Sequence, residues 1–475
     1  MTEEKEYITD NTKAVKHRWF ILEPAVFLIF VATNLTAAVY QNQLLYQTCT
    51  VIFHYNETQC EPLLGVQRET DEIKKIEIEV QPYVSRILMA RSLLESIIPA
   101  IVSLFIGPWS DKFGRRPVVL ATFTGYVTSS IILTILCAIA GKVNLSPWLF
   151  LISSIPAVLS GGNCALITGI YCYISDVADD KTKASRMVLN EVSLCLGMMI
   201  GNISSGYVYA ATNAFITFAI SAALNSLALL YCFIWVVESL KSEMIDRGSK
   251  IKEFFRFELV KDLFVTCIKK RPNYDRVIIW LTLMSLTFAV FAMEGDNNVT
   301  YLFVRKQFEW TLQDYSFFSA GRIVAQVIGS VLGVYILRKL LNFSILSMTM
   351  IALTSCILES TSRAIATHGW VLYIGLALGF MRGILGPMSR AIHSFVTPPL
   401  EVGKVFALTT SLESLTPLIA APLYTSLYSL TLSTHPGIFN CISASLYTLG
   451  FSFMVAIFVL HKCKGKSSTY ENIGG

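Results

Sequence analysis

Charge is scarce in this chain of 475 residues: 15% of them are Asp, Glu, Lys or Arg, against 53% hydrophobic. Soluble domains carry nearer a quarter. The shortage excludes a soluble enzyme, and the apolar excess excludes a disordered chain. The eleven cysteines lie mostly inside apolar runs and form no CxxC pair, so neither a metal site nor a redox motif is expected, and a secreted disulfide scaffold is excluded. Nucleophile motifs and phosphate-binding glycine loops are missing too, which removes the enzymes that use them. The first eighteen residues are polar, with no apolar h-region, so no cleavable signal peptide is expected and the first apolar run should act as its own insertion signal. The net charge of +5 gathers in particular loops, so nucleic acid is not an expected partner.

What the chain has in abundance is long apolar runs, near 19–45, 83–107, 117–140, 147–174, 187–209, 212–237, 277–303, 315–337, 343–362, 370–393, 405–430 and 437–460. Twelve crossings of about 20 residues take up roughly half the chain. A polar stretch, Glu238 to Arg276, divides them six and six. That division marks two helical bundles related by internal repeat. The expected fold is an all-α membrane protein of twelve transmembrane helices in two pseudo-symmetric bundles, both termini cytoplasmic. Its parts are a tail (1–18), the first bundle (19–237) with an outside loop (48–82), a cytoplasmic central loop (238–276), the second bundle (277–461) and a second tail (462–475).

The orientation rests on lysine and arginine. With the termini inside, the inside loops outnumber the outside ones nearly fourfold in these residues, the outside holding only Arg68, Lys74, Lys75, Lys142, Arg305, Lys306 and Arg363. This is the positive-inside bias. Of six glycosylation sequons (Asn34, Asn56, Asn144, Asn202, Asn298 and Asn342), only Asn56 sits in a long outside loop with room for a glycan. Cys49 and Cys60 flank it in an oxidising compartment, either bridged or as two free thiols.

Ionisable residues within the spans cost a few kcal/mol each. Arg86, Arg91, Arg322, Arg382 and Arg390 oppose Glu95, Glu191, Glu294, Asp296 and Glu413. The balance suggests pairing or a wet central cavity. Arg91 and Glu95 are spaced to pair on one helix face. Glu191 and Glu413 have no such neighbour, which favours a functional role. Glu294, Gly295, Asp296, Asn297 and Asn298 suggest a loosened, cavity-facing stretch of span 7. All six histidines lie in loops or near span ends, so carboxylates must carry any transported protons, with Glu191, Asp296, Glu413 and Glu294 as candidates. Arg390, Arg382 and Arg322 are candidates to hold an anionic group on a solute, because guanidinium binds carboxylate or phosphate bidentately. Asn34, Tyr40 and Gln43 in span 1 and Asn163 and Tyr171 in span 4 are the polar and aromatic candidates to meet it, packing being the alternative for the aromatics.

After span 2 runs Gly107-Pro108-Trp109-Ser110-Asp111-Lys112-Phe113-Gly114-Arg115-Arg116-Pro117. This resembles the cytoplasmic loop motif of the major facilitator superfamily. Gly107 lets two helices approach, Gly114 permits a tight turn, Asp111 can face a helix N-terminus of the other bundle, and Arg115 and Arg116 can bind carboxylates or helix carbonyls. Together they form a latch on the cytoplasmic side. The matching place in the second half, Gly333 to Lys339, lacks the acid. Glu23-Pro24-Ala25-Val26-Phe27-Leu28, Ser175-Asp176-Val177, Arg186-Met187 followed by Glu191, Pro387-Met388-Ser389-Arg390-Ala391 and Glu401-Val402-Gly403-Lys404-Val405-Phe406 resemble stretches of solute carrier family 46, the family of the proton-coupled folate transporter. The resemblance implies proton coupling at Glu191, an acid of span 7 at Asp296 and substrate binding at Arg390. Phe291 stands where the folate transporter has a span 7 histidine, its span 4 acid falls near Gly162, and its loop 7–8 cysteine has no counterpart between Arg305 and Asp314, which favours a local Cys49–Cys60 bridge.

The expected function is thus secondary active transport of a small organic anion, of folate-like, muropeptide or cyclic-dinucleotide class, by alternating access, with protons as coupling ion and no other cofactor. A uniporter or exchanger without proton coupling, and a solute-sensing receptor or scaffold, are the alternatives. The second would use the basic, amphipathic stretch Lys250 to Arg271 to recruit a partner, unless it packs beneath the bundles. A monomer in the plasma membrane or an endosomal or lysosomal membrane is expected. Tyr470 and Ile473 match a tyrosine-based sorting signal for adaptor proteins.

Overall fold

The computed structural model describes residues 22–64, 71–240, 257–269, 271, 274–308, 310, 312–431, 435 and 437–464. The regular structure of the described residues is helical, because a chain in lipid must satisfy its backbone polar groups internally. Among the described residues, twelve helices are long and apolar enough to cross a membrane. Spans 1 to 6 are Glu23–Ile52, Glu79–Phe113, Arg116–Ala140, Pro147–Val177, Thr182–Ala211 and Ala214–Trp235. Spans 7 to 12 are Asp275–Tyr301, Phe317–Leu340, Ile345–Ala364, Gly369–Val396, Pro399–Tyr428 and Ile438–Leu460. Their outer faces carry apolar stripes at helical spacing, such as the exposed Ile131, Ile135 and Ile139 of span 3.

Within the first bundle, span 5 lies directly on span 1. A Cβ placed on Gly197 would stand 2.7 Å from the carbonyl oxygen of Phe27, and one on Gly201 would stand 2.6 Å from that of Val31. One turn further, Ser205 Oγ donates to Leu35 O at 2.8 Å. Small residues every fourth position let two helix backbones touch, a common adhesive where lipid offers no hydrophobic drive.

The bundles meet most closely through spans 2 and 11, 4 and 11, 5 and 8, and 5 and 10, whereas spans 1 and 7 barely touch. On the half nearest loop 2–3, Ser175 and Ser394 share a hydrogen bond of 2.5 Å and Thr168 and Thr410 one of 2.7 Å. That face is closed. A lateral helix, Phe257–Ile268, lies against spans 2, 7 and 11. It buries Leu263 and Cys267 and accepts from Lys404 Nζ on Asp262 Oδ2 at 2.6 Å. Over its described part, the amphipathic stretch read as a possible partner-recruiting segment packs one face on the bundles and leaves Phe257, Val265 and Ile268 exposed.

On the opposite face, Cys49 and Cys60 form a disulfide, with Cα atoms 5.9 Å apart and eleven residues of separation. Asn56 lies exposed between them and caps the short helix Glu57–Cys60. Cys49→Ser is expected to loosen this loop by about 3 kcal/mol, the chain-entropy value for so short a closure. Limited proteolysis between residues 50 and 64 reads it, as faster cleavage with the bundle melting temperature little changed.

Candidate functional site

Spans 4 and 10 are both interrupted. Span 4 runs as a 3-10 segment, Pro147–Ser154, a short α-helix, Ile155–Leu159, and a second one, Gly162–Val177. Between the α-helices, Gly161 and Gly162 take positive φ values of 90° and 51°, which only glycine adopts without strain. Span 10 runs as Gly369–Leu378, a 3-10 segment Gly379–Ile384, and Leu385–Val396. Each irregular stretch leaves an amide that the third span of the same half satisfies: Ala157 N donates to Ser129 Oγ at 3.0 Å, and Met381 N to Ser355 Oγ at 3.2 Å. Broken helices at matching places of two repeats line solute sites in membrane carriers.

A cavity of about 490 Å³ lies between these breaks and draws its walls from both bundles. Four residues from four spans meet on it. Tyr171 Oη of span 4 donates to Glu191 Oε2 of span 5 at 2.8 Å. The Arg390 guanidinium of span 10 lies 4.7 Å from the centre of the Tyr171 ring, a cation–π distance, and donates to Glu413 Oε2 of span 11 at 2.7 Å. Glu413 Oε1 is buried without a hydrogen-bond partner. Of the sequence candidates, Asn163, Glu294 and Arg382 also line this cavity.

The other basic candidates are already occupied. Glu359 of span 9 receives Arg382 Nη1 on both oxygens, at 2.9 and 2.7 Å, and Arg322 Nε at 3.2 Å. Arg363 Nη2 binds Asp296 Oδ2 at 2.6 Å, and Ser443 Oγ donates to Asp296 Oδ1 at 2.6 Å. Three corrections follow. Arg363, counted with the outside loops, is 2% exposed in the last turn of span 9. Asp296, expected on a cavity-facing stretch, is absent from the cavity lining and is fully buried in this cluster. Span 7 is continuous helix through Glu294 to Asn298; its Gly295 accommodates the Tyr424 ring, which would stand 2.4 Å from an added Cβ. Glu359 escaped the sequence reading, although its spacing of four from Arg363 was a visible signal.

No residue of span 1 lines the cavity. Asn34 Nδ2 turns back to Phe30 O at 2.8 Å. Tyr40 is buried beneath the Arg91 guanidinium, 4.1 Å from its ring centre, and packs edge-on against Phe150. Gln43 is also buried. These three are packing residues of the first bundle in this state. Arg91 and Glu95 do pair along one helix, at 2.7 Å.

The loop motif closes the face below. Asp111 accepts from the amides of Gly403 and Lys404 at 3.1 and 3.2 Å, at the start of span 11. A carboxylate there meets unpaired amides and the positive end of the helix. Arg115, fully buried, binds Asp111 at 2.5 Å, Asp176 at 3.0 Å and the Pro399 carbonyl at 3.3 Å. Arg116 Nη2 reaches the Phe233 carbonyl at 3.0 Å. Gly114, at φ 110°, turns the chain so that Glu238 caps the amides of Arg115 and Arg116, at 2.8 and 3.2 Å. Gly107 and Gly403 are needed for close approach, an added Cβ on Gly107 falling 2.4 Å from Gly403 O. Tyr470 and Ile473 lie outside the described residues.

Comparison with known proteins agrees with this geometry. A family model described as Major Facilitator Superfamily matches residues 86–421. The chain is 33% identical, over 96% of its length and 88% of the relative's, to the "Probable peptidoglycan muropeptide transporter" of Drosophila melanogaster. It is 25% identical, over 90% of its length and 91% of the relative's, to the lysosomal proton-coupled steroid conjugate and bile acid symporter of Gallus gallus. Among solved structures, a Major Facilitator Superfamily transporter, FucP, in the outward conformation, superposes with a TM-score of 0.67 at 12% identity, over 92% of this chain and 97% of that one.

Proposed function

The chain belongs to the Major Facilitator Superfamily and, within it, to solute carrier family 46, and from that premise we propose that this secondary transporter carries a small organic anion together with protons. The family comprises membrane transporters, not enzymes. The observation that carries the finer reading is Arg390, held between Glu413 and Tyr171 at the place where Glu191 faces the same cavity.

The chemistry follows from charge balance at depth. An anion arriving in the cavity competes with Glu413 for Arg390. A carboxylate left unpaired there is costly, so its release from Arg390 favours uptake of a proton. Glu191, held by a neutral hydroxyl, is the second acceptor and sits on the other bundle. Anion and proton thus assist each other's binding, a coupling that is reciprocal. With the loop 2–3 face cytoplasmic, as the basic loops imply, the closed latch leaves the cavity facing outside or lumen, and an acidic lumen would load it. The relatives named for muropeptides, steroid conjugates and bile acids fit an anion of this size.

Purified protein in liposomes, offered anionic solutes over a range of outside pH, tests this. Uptake rises as outside pH falls, by up to about tenfold per unit for one coupled proton. Glu191→Gln flattens that response. Undiminished pH dependence in the variant rejects Glu191 as the proton acceptor. Proton flux recorded with solute flux separates symport from uncoupled exchange, the second reading, which Phe291 on span 7 favours.

A further inference from the structure

The first bundle contains a second chamber, of about 110 Å³, that shares one residue with the central cavity: Glu95 lines both. Spans 1, 2, 3, 4 and 6 wall it. At its edge Glu95 Oε1 receives Arg91 Nε at 2.7 Å and Ser154 Oγ at 2.8 Å. Leu133, Ala157 and Phe218 give it an apolar side. Other walls are hydroxyls already bonded within the bundle: Thr33 donates to Ile29 O, Thr36 to Ala32 O and Ser130 to Tyr126 O, while Ser130 Oγ accepts from Asn225 Nδ2 at 2.6 Å.

Size and chemistry select an occupant. The volume equals roughly three or four waters, too small for a sugar ring and right for a substituent of about four heavy atoms. The Arg91–Glu95 pair is neutral as a unit, so an ion gains little there. A hydroxymethyl group would leave the apolar side wet. A secondary acetamide matches the charged edge and the apolar side together: its N–H meets the Glu95 carboxylate, its carbonyl meets Arg91, which has one N–H on Glu95, and its methyl meets Leu133, Ala157 and Phe218.

We propose that this chamber is an acetamido subsite, receiving the N-acyl group of an N-acylated amino sugar whose anionic end lies at Arg390. The inference rests on the carrier reading above and adds the part of the solute that faces the first bundle. Glu95 becomes a specificity residue standing between the two spaces, and the interruption of span 4 gains a reason, since it places Ala157 and Ser154 on the chamber.

The test uses full-length protein in liposomes and radiolabelled muramyl dipeptides of equal charge that differ only in acyl length, N-acetyl against N-hexanoyl. Wild type is expected to carry the acetyl form at least tenfold faster. Ala157→Leu, which fills the chamber, removes that preference by lowering acetyl uptake. Ala157→Gly, which enlarges it, raises hexanoyl uptake, a gain that misfolding cannot mimic. Indifference to acyl length, the same profile in all three proteins, or uptake of neither probe overturns the subsite. If the probes enter without regard to acyl length yet depend on Arg390, only the subsite falls. If uptake of every anion ignores Arg390→Gln, the carrier reading falls with it.

Discussion

Arg390→Gln is expected to abolish solute uptake at every pH, with kcat/KM falling by a hundredfold or more. The substitution removes the guanidinium from between Glu413 and the Tyr171 ring. Taking one partner from a buried ion pair costs about 3–5 kcal/mol, and here the anion anchor goes too. Arg390→Lys restores the charge without the planar fork and should recover part of the rate, leaving roughly a tenfold deficit, or about 1.4 kcal/mol. The double variant Arg390→Gln/Glu413→Gln relieves the stranded carboxylate. It should regain thermal stability without regaining transport, which separates folding from solute binding. Initial rates in liposomes, with melting temperatures of all four proteins, decide the matter. Transport by Arg390→Gln within a few-fold of wild type would remove this residue from the site.

Arg115→Leu is expected to open the face that the latch now shuts. Arg115 neutralises two acids, Asp111 and Asp176, and ties them to the Pro399 carbonyl of the other bundle. Without it two buried carboxylates face each other while only Asp111 keeps amides to bind. Both ion pairs lie within the first bundle and only the Pro399 bond of Arg115 crosses to the second, so the loss of about 3–5 kcal/mol weighs on the closed state because there the second bundle keeps water from the two acids. Full inversion of such an equilibrium takes about 5.5 kcal/mol, so a shift of this size raises the open population by a hundredfold or more. Ser394→Cys reports it, since Ser394 lies in the shut half, bonded to Ser175. A thiol reagent applied from the loop 2–3 face should label this position at least a hundredfold faster in the Arg115→Leu background. Unchanged labelling would mean that the latch does not govern closure.

Features that depend on neighbouring residues and features that depend on direction differ in how far the sequence alone reveals them. The twelve crossings and the latch were legible, since each depends on neighbouring residues: apolar length in the one case, a spaced run of glycine, acid and arginine in the other. Arg390, Glu413 and Glu191 stood out because a charge in an apolar run is anomalous wherever it points. Direction was not legible. Span 1 is apolar nearly all round, so nothing marked Asn34 as facing span 5, Tyr40 as facing spans 2 and 4, or Gln43 as buried outside the cavity. The cluster about Glu359 was lost for another reason. Arg363 sits in the final turn of span 9, where averaged hydropathy already falls to loop values. Once it is assigned to a loop, Glu359 loses its helical neighbour and Asp296 its partner on another span. The breaks in spans 4 and 10 were hidden because Gly161 and Gly162 in the one, and Gly379 and Gly383 in the other, sit within otherwise apolar runs.

Spans 1 and 5 meet without clearance at Gly197 and Gly201, and span 5 carries Glu191 while span 1 leads into the Cys49–Cys60 hairpin. Two rods seated so tightly must tilt as one lever. Whatever movement the Glu191 end makes is then delivered to the tip beside Asn56, where an attached dye would register it.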